Sequence, residues 1–555
     1  FTGKWSSTPF PNCSAEAGKD THFMANFAQK QNFFGGVAVL TAAVVVVKII
    51  SAIYKIPLGN ILDDEGMGHF NIAYNVYNFL LQLSTAGFPL ALSKLTSEAL
   101  ATGRLNQVRR QFRVAAMLFF VLGLAASAVM FFGAGQLAEL MNDSLAYYPI
   151  KVLAPAVFFV CLIGCCRGYT QGRGNMVPTA VSQVLEALCK LVVGLGLAWY
   201  VLRVLHVNVE IGAAAAIFGV TVGSAAAVLF LIVWLLRHRL AGRSEDRSEG
   251  GGRILKRLLL IGVPITLGSS VMSIITLVDQ TVVMARLQNA LGLAEQTAAA
   301  LYGQYTFGMT LFNLPATFVY PVTISLIPAV SAALTRRNEL HAHRLISSSF
   351  RLIAMLALPA GVGLSVLAGP ILQLLYPAVP DTAAAATYHL QILGVAVIFV
   401  CLMILTNAIL QACGRVYLPI VTAVIGGVVK ICTTYTLCGN PDFGIKGAPI
   451  STLLCYVTIA VLNLAVVLVV LGKSRPNYLF LFCKPVAATI LMAFVARFSF
   501  AALAAVLSDK IAVLAAILLA VLVYGILALL LRMVTREDLA LMPKGEKIAK
   551  ILHIR

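Results

Sequence analysis

The chain has 555 residues, of which 60% are hydrophobic and only 11% charged. A soluble domain carries about 25% charged residues, and no globular core could enclose this much apolar sequence, so the chain belongs in a bilayer. A soluble enzyme, a nucleic-acid-binding protein and a receptor with a large ectodomain are excluded, and the net charge of +19 has a better explanation in where the charges fall.

Residues 1–34 form an N-terminal tail. Phe1–Phe23 is polar and lacks an apolar h-region, so it does not read as a signal peptide. Met24 reads as a natural start, which sets 1–23 apart from the fold. Fourteen apolar segments follow, at 35–57, 70–92, 113–135, 149–167, 178–203, 211–236, 257–284, 302–329, 348–368, 387–410, 418–438, 447–472, 478–501 and 510–533. At about 22 residues per crossing they make an all-α polytopic membrane protein with short connections. Segments 1–6 (35–243) form one lobe and segments 7–12 (257–472) a second. A linker at 244–256 separates them, with SEDRSEGGG at 244–252 rich in Ser, Gly and charge. Segments 13 and 14 (478–533) stand outside both lobes, and a basic tail covers 534–555.

Most of the 41 Lys and Arg fall on one side, after even-numbered segments and in the C-terminal tail. Arg104, Arg109, Arg110 and Arg113 lie there, as does the cluster from Arg237 to Arg257. The positive-inside rule places both termini in the cytoplasm. The basic excess is therefore a topology signal and an attraction for anionic headgroups, with no nucleic-acid partner. Cys161, Cys165 and Cys166 lack zinc-ligand spacing and read as small buried hydrophobes.

The halves repeat. FRVAAML at Phe112–Leu118 returns as FRLIAML at Phe350–Leu356, 238 residues later. Gln171 and Gln411, and Lys190 and Lys430, recur at an offset of 240. Ile211–Ala213 matches Ile445–Ala448 less closely. Six segments per repeat is an even number, so the halves share one orientation, about an axis along the membrane normal. Two such lobes with a site between them is a transporter arrangement.

Four segments carry a polar face. Segment 1 has Thr41, Lys48 and Lys55; segment 2 has Asn71, Asn75, Asn78, Gln82 and Thr85. Segment 7 has Thr266, Ser269, Ser273, Thr276 and Asp279, and segment 8 has Tyr302, Thr306, Thr310, Asn313 and Thr317. Interhelical hydrogen bonding accounts for Ser and Thr, but not for two lysines and an aspartate. These faces are expected to line one water-filled cavity between the lobes.

A charge at the bilayer centre costs about 2.5–3.5 kcal/mol and marks function by default. Glu186 precedes Lys190 by four residues, the favourable order for a structural helical pair. Lys48 and Lys430 have no acidic neighbour on their own segments, and one of them is a candidate partner for Asp279. Lys55 is either a cavity cation or a snorkelling anchor. Asp63, Asp64 and Glu65 read as a solvated turn. Asp279 is either a counter-ion or a proton or sodium site for coupling. The cavity is mainly cationic and suits a carboxylate, phosphate or pyrophosphate.

There is no phosphate-binding GxxxxGK[ST] loop for an ATP motor and no HExxH. His341 and His343 read as a solvated pair. No segment looks like an ion-selective filter. A secondary transporter or flippase without a cofactor remains, and not an enzyme.

Several stretches carry a family resemblance. They are KIPLGNIL at Lys55–Leu62, DEGMG at Asp64–Gly68, YNVYN at Tyr74–Asn78, STAGFP at Ser84–Pro89 and SKLTSE at Ser93–Glu98. RGYTQG at Arg167–Gly172, NMVPTA at Asn175–Ala180 and SQVLE at Ser182–Glu186 are the strongest. LYGQY at Leu301–Tyr305 and TLFNLP at Thr310–Pro315 complete the set. Over about 33–533 the chain resembles stage V sporulation protein B-like transporters of the multidrug/oligosaccharidyl-lipid/polysaccharide (MOP) exporter superfamily, relatives of the MurJ-type lipid II flippases. The resemblance implies a V-shaped pair of lobes in a bacterial plasma membrane. It implies an undecaprenyl-pyrophosphate-linked sugar as substrate, membrane lipids as partners, and action as a monomer. Lys48 and Lys55 lie where MurJ-type proteins place cavity arginines. Gln304 and Tyr305 depart from their acidic-arginine motif. Segments 13 and 14 would flank the lipid tail, as in MurJ-like proteins. The expected substrate-binding set is Lys48, Lys55, Asn71, Asn75, Asn78, Gln82, Gln304, Thr310, Asn313 and Lys430, with Asp279 for coupling. A multidrug antiporter of the same fold is the alternative function. An enzyme acting on polyprenyl phosphates has only Asp63, Asp64 and Glu65 in its favour.

Overall fold

The computed structural model describes residues 33–85, 87–240, 244–336, 338–471, 478–531 and 533. The tails around Met24 and beyond residue 533, and the side chains of Thr41 and Thr85, lie outside the described residues. Among the described residues every regular element is helical. Twelve stretches are long and apolar enough to cross a membrane.

The first, α1 (Phe33–Thr85), is interrupted at Asp63, with φ 61° and ψ −170°. That region is nearly glycine-only and costs about 1–3 kcal/mol. The chain reverses there. Lys55 and Asn71 are 16 residues apart, yet their side chains are 3.4 Å apart, whereas a straight helix would separate them by about 24 Å. The expected loop at 58–69 is therefore a single-residue turn, and the second arm begins at once. Asp63 is exposed at this turn, as expected, while Asp64 and Glu65 already lie in the second arm and are partly buried. Asp63 accepts hydrogen bonds from the Asp64 amide and from Thr382, and these contacts hold the strained residue. The second arm breaks at Gly87, where a Cβ would overlap the Gly262 carbonyl. It resumes as α2 (Phe88–Ala101), with proline at its start.

The first half continues through α3 (Leu105–Phe132), the short α4 (Ala134–Leu140), α5 (Tyr147–Gly172), α6 (Val177–Cys189), α7 (Leu195–Arg203) and α8 (Val209–Arg237). A π-helical turn, Lys190–Gly194, joins α6 to α7. The second half comprises α9 (Gly251–Asn289), α10 (Glu295–Thr335), α11 (Glu339–Val366), the short α12 (Ala368–Leu375), α13 (Pro380–Ala412), α14 (Leu418–Cys438) and α15 (Gly447–Leu471). Last come α16 (Tyr478–Ala504) and α17 (Asp509–Leu530). One of the twelve stretches contains both arms of α1, and the 41-residue α10 is not among the twelve.

Helices α5, α6 and α8 pack around α1, while α11 and α13 pack around α10; α1 meets α9 and α10 between the halves. Helix α16 pairs with α17 and lies on α11. Met117 and Phe132 are largely exposed, as lipid-facing side chains are. The repeat extends to the backbone. Gly174 and Gly414, 240 apart, each end the corresponding helix (α5 and α13) at φ 77°, the left-handed closing residue that favours glycine.

The linker is docked rather than free. Helix α3 starts after Arg104 with no side-chain cap of its own, and its first amides need acceptors. Asp246 supplies them: the amides of Asn106 and Gln107 donate to its carboxylate at 3.0 and 2.9 Å. The Glu249 amide donates to the Gln107 side chain at 2.7 Å, and Arg110 donates to Ser248. Helix α9 begins at Gly251, six residues before the expected 257, because Gly250 serves as its N-cap and the sequence behind it is helix-forming. Partial burial pushes the Asp246 carboxyl up, but the Ser244, Asn106 and Gln107 hydrogen bonds outweigh this and hold it below its usual value. Its contribution is complete above the unfolded carboxylate pKa and is lost as pH falls through the lowered folded one. Asp246→Ala is expected to raise hydrogen exchange at Asn106 and Gln107 and to speed tryptic cleavage after Arg247. Unchanged exchange would show that the carboxylate is not the cap.

A cationic cavity between the two halves

The polar faces of α1, α9 and α10 meet around one cavity of about 440 Å³, which Lys190 of the π-turn, Lys430 of α14 and Tyr456 of α15 also line. Lys48, Lys55, Asn71, Asn75, Asn78, Thr276, Asp279, Thr310, Asn313, Thr317 and Lys430 all line it. They converge because each face repeats at helical spacing and because the Asp63 reversal lays the two arms of α1 side by side. Gln82 does not line the cavity. Neither does Gln304: its amide donates to Asp64 at 3.0 Å, outside the cavity.

The asparagines hold the halves together. Asn71 donates to Thr306 at 3.1 Å and accepts from Lys55. Asn75 donates to Gln280 and to the Tyr302 hydroxyl. A substrate that used these amides would have to displace partners they already have. Asn313 and Thr310 bond only to their own helix and present their remaining polar atoms to the cavity.

The lysines divide into two kinds. Lys430 Nζ lies 2.9 Å from Asp279, both almost fully buried. Thr434 donates to the same carboxylate at 2.6 Å and also contacts Ser451. Asp279 thus has a resident counter-ion, and Lys430 is not a free cavity cation. Lys48, Lys55 and Lys190 have no acidic partner within salt-bridge distance among the described residues. The expected Glu186–Lys190 pair is not formed. Glu186 instead takes Arg167 at 3.2 Å, whose Nε also donates to Ser182. Lys190 keeps α-helical register with Glu186, its N–H bonding the Glu186 carbonyl, but its side chain does not pair with that carboxylate. It sits over the rings of Tyr54 and Tyr74, 4.8 and 4.6 Å from their centroids, a geometry that stabilises a cation by about 0.5–2 kcal/mol. Tyr74 and Lys190 are the site residues that spacing missed. Arg167 was the available signal, a second cation competing for one glutamate.

Contacts join the two halves on either side of the cavity. Toward Asp63, a Cβ on Gly303 would overlap the Asp64 carbonyl, and Asn60 bonds the Leu375 carbonyl and the Ala378 amide. Toward the linker, the Gly87 amide donates to Thr266 at 3.0 Å, and Arg257 bonds Glu98 at 3.2 Å. The described residues contain no cluster of His, Cys, Asp and Glu suited to a metal.

These partnerships separate two substitutions. Glu186→Gln leaves Arg167 without its counter-charge and is expected to destabilise the protein by about 1–3 kcal/mol. Lys190→Gln should leave stability nearly unchanged. Thermal unfolding of both variants checks this, and equal losses would restore the Glu186–Lys190 pair.

Comparison with known proteins fits this architecture. Residues 33–334, more than half of the chain, match the family described as "Polysaccharide biosynthesis protein". The chain is 30% identical over 435 residues to the uncharacterized membrane protein YabM of Bacillus subtilis, covering 77% of this chain and 79% of that one. It is 26% identical to stage V sporulation protein B of the same organism, over 93% and 98% of the two chains. It is 24% identical to the lipid II flippase MurJ of Bacillus subtilis, over 71% and 75%. Among solved structures, the lipid II flippase MurJ in an inward closed conformation aligns with a TM-score of 0.66 at 16% identity, over 90% of this chain and 98% of that one. An inward-facing MATE transporter of the MOP superfamily aligns at 0.61 with 15% identity, over 78% and 95%. The fold is that of MOP-superfamily transporters, and the cavity lies between its halves. The chain is a multi-pass membrane protein and belongs to the polysaccharide biosynthesis protein family.

Proposed function

We propose that the protein is a flippase that moves an undecaprenyl-pyrophosphate-linked sugar across a bacterial plasma membrane by alternating access, with both termini in the cytoplasm. The observation that carries this reading is the trio Lys48, Lys55 and Lys190, all lining one cavity with no acidic partner within salt-bridge distance among the described residues. Ammonium groups held in a low-dielectric space attract a compact, multiply charged anion. A pyrophosphate offers several acceptors to such a trio. Thr310, Asn313 and Thr317 on the opposite half would face the sugar. The lipid tail would leave sideways, and an apolar groove suits it: Leu358, Val362 and Val366 of α11 face Val486, Ile490 and Phe494 of α16 across about 280 Å³. The relatives named for stage V sporulation and for lipid II flipping support the same reading.

The Lys430–Asp279 pair is the coupling element in this proposal. A buried pair loses about 3–5 kcal/mol when one partner is removed, because the other charge is stranded. Its opening is feasible only when another charge compensates it, such as a proton on Asp279 or a substrate anion beside Lys430. No cofactor takes part, and one copy of the chain suffices.

Flipping of lipid II and related lipid-linked sugars by the protein in liposomes is the direct test. Lys48→Gln, Lys55→Gln and Lys190→Gln should each weaken binding of the lipid-linked pyrophosphate by about tenfold without unfolding the protein. Export of a cationic dye should hold or rise in the same variants. Normal lipid binding with increased dye export would support a multidrug antiporter instead.

A second prediction isolates coupling. Asp279→Asn should impair both stability and transport, and adding Lys430→Gln should recover stability. If the double variant also transports at the wild-type rate under imposed proton and sodium gradients, the pair has no coupling role.

A further inference from the structure

A second cavity, of about 730 Å³, lies wholly within the first half, where the linker ends of α3, α5 and α8 come together. It shares no residue with the cavity between the halves. Its rim carries four guanidinium groups, Arg109, Arg113, Arg173 and Arg239, and no acidic residue. Its floor is apolar, with the ring pair Phe112 and Tyr169, tilted by 40° and 4.4 Å between centroids, as its base. One wall is formed by Ile232 and Leu236, exposed on the last turns of a membrane-spanning helix.

Two of the arginines are held in place. Arg109 donates to the Leu240 carbonyl at 3.1 Å. Arg173 donates to the His238 carbonyl at 3.0 Å and lies over the Tyr169 ring. Arg109 also donates to Asn106 at 3.2 Å. Arg113 and Arg239 are exposed and have no acidic partner within salt-bridge distance among the described residues. Four like charges around one opening repel one another unless an anion lies among them.

We propose that this cavity is a binding site for an anionic diacyl phospholipid of the surrounding membrane. The phosphate is bound by the Arg113 and Arg239 guanidiniums, with Arg109 and Arg173 beside it. The acyl chains run down Ile232 and Leu236 into the bilayer. A guanidinium matches phosphate oxygens in a two-point geometry. The site stands at the end of membrane-spanning helices, at headgroup depth, where a lipid needs no path through the protein. An amphiphile matches both the charged rim and the apolar wall, whereas a free phosphate matches only the rim. The site also adjoins the linker attachment, since Arg109 bonds both Leu240 and Asn106. A bound phospholipid would therefore brace the start of α3, where Asp246 docks.

The test uses the full chain purified in detergent and stripped of lipid. Thermal unfolding and native mass spectrometry would follow titration with phosphatidylglycerol, with phosphatidylethanolamine of the same chains, with inorganic phosphate, and with undecaprenyl pyrophosphate. Phosphatidylglycerol is expected to bind and to raise the unfolding temperature. Phosphatidylethanolamine and inorganic phosphate should do neither. The double variant R113Q/R239Q should weaken phosphatidylglycerol binding by about tenfold or more, with an unchanged unfolding temperature in its absence. The equally discharged control R253Q/K256Q, on α9, should bind as the wild type does. Equal binding by R113Q/R239Q, or equal loss in the control, would overturn the site. Equal stabilisation by phosphatidylethanolamine or by inorganic phosphate would overturn the lipid assignment. Displacement of phosphatidylglycerol by undecaprenyl pyrophosphate in the wild type, lost in R113Q/R239Q, would replace the phospholipid with a transport substrate.

Discussion

A charge inside an apolar layer has to be paired, solvated or matched by a ligand, and the arrangement of this protein follows from how each buried charge meets that demand. Asp279 and Lys430 neutralise each other 2.9 Å apart. Arg167 and Glu186 do the same within the other half. Lys190 settles over two tyrosine rings. Lys48 and Lys55 are left facing the space between the halves, with only Asn71 beside one of them. The cavity exists at that depth because these groups cannot be enclosed in hydrocarbon without an unfavourable desolvation.

The halves answer the same demand differently although they descend from one pattern. Lys190 and Lys430 occupy equivalent positions, 240 residues apart. In the second half an aspartate on α9 stands opposite the lysine. In the first half the two arms of α1 bring Lys55 and Asn71, and the neighbouring glutamate is taken by arginine. The result is one neutral wall and one cationic wall. A symmetric pair of lobes thereby acquires a polarity across the cavity, which an anion could use to lean toward one half.

Much of this was legible before any coordinates. The spans, the break near the chain's middle and the four polar faces follow from composition and period, and the four faces do meet. What escaped was partner choice. Glu186 and Lys190 had ideal spacing for an ion pair, but spacing along one helix cannot register Arg167 on a neighbouring helix, which takes the glutamate, or the two tyrosine rings that take the lysine. Gln304 shares a helix with cavity residues yet bonds Asp64, because its direction around α10 is fixed by contact with α1. Asp63, Asp64 and Glu65 looked like a solvated loop since three acids in a row rarely sit in a helix. The single strained residue that replaces the loop is a tertiary solution, supported by Thr382 from the far half. The linker misled for the opposite reason. Its composition is that of a flexible tether, and only the exposed amides of α3 give Asp246 something to hold.

That trans cap has a mechanical meaning. Because Asp246, Ser248 and the Glu249 amide are fastened to the start of α3, the second half does not hang from a long slack strand. It is mounted at Gly250, one residue before α9 begins. Helix α9 is thus anchored to the first half at its start, with Pro264 inside its run toward Asp279. A turn of a few degrees at Gly250 would move Asp279, 28 residues beyond Gly251 and about 40 Å away, by several ångströms relative to the first half, and Lys430, which belongs to the same half, would travel with it.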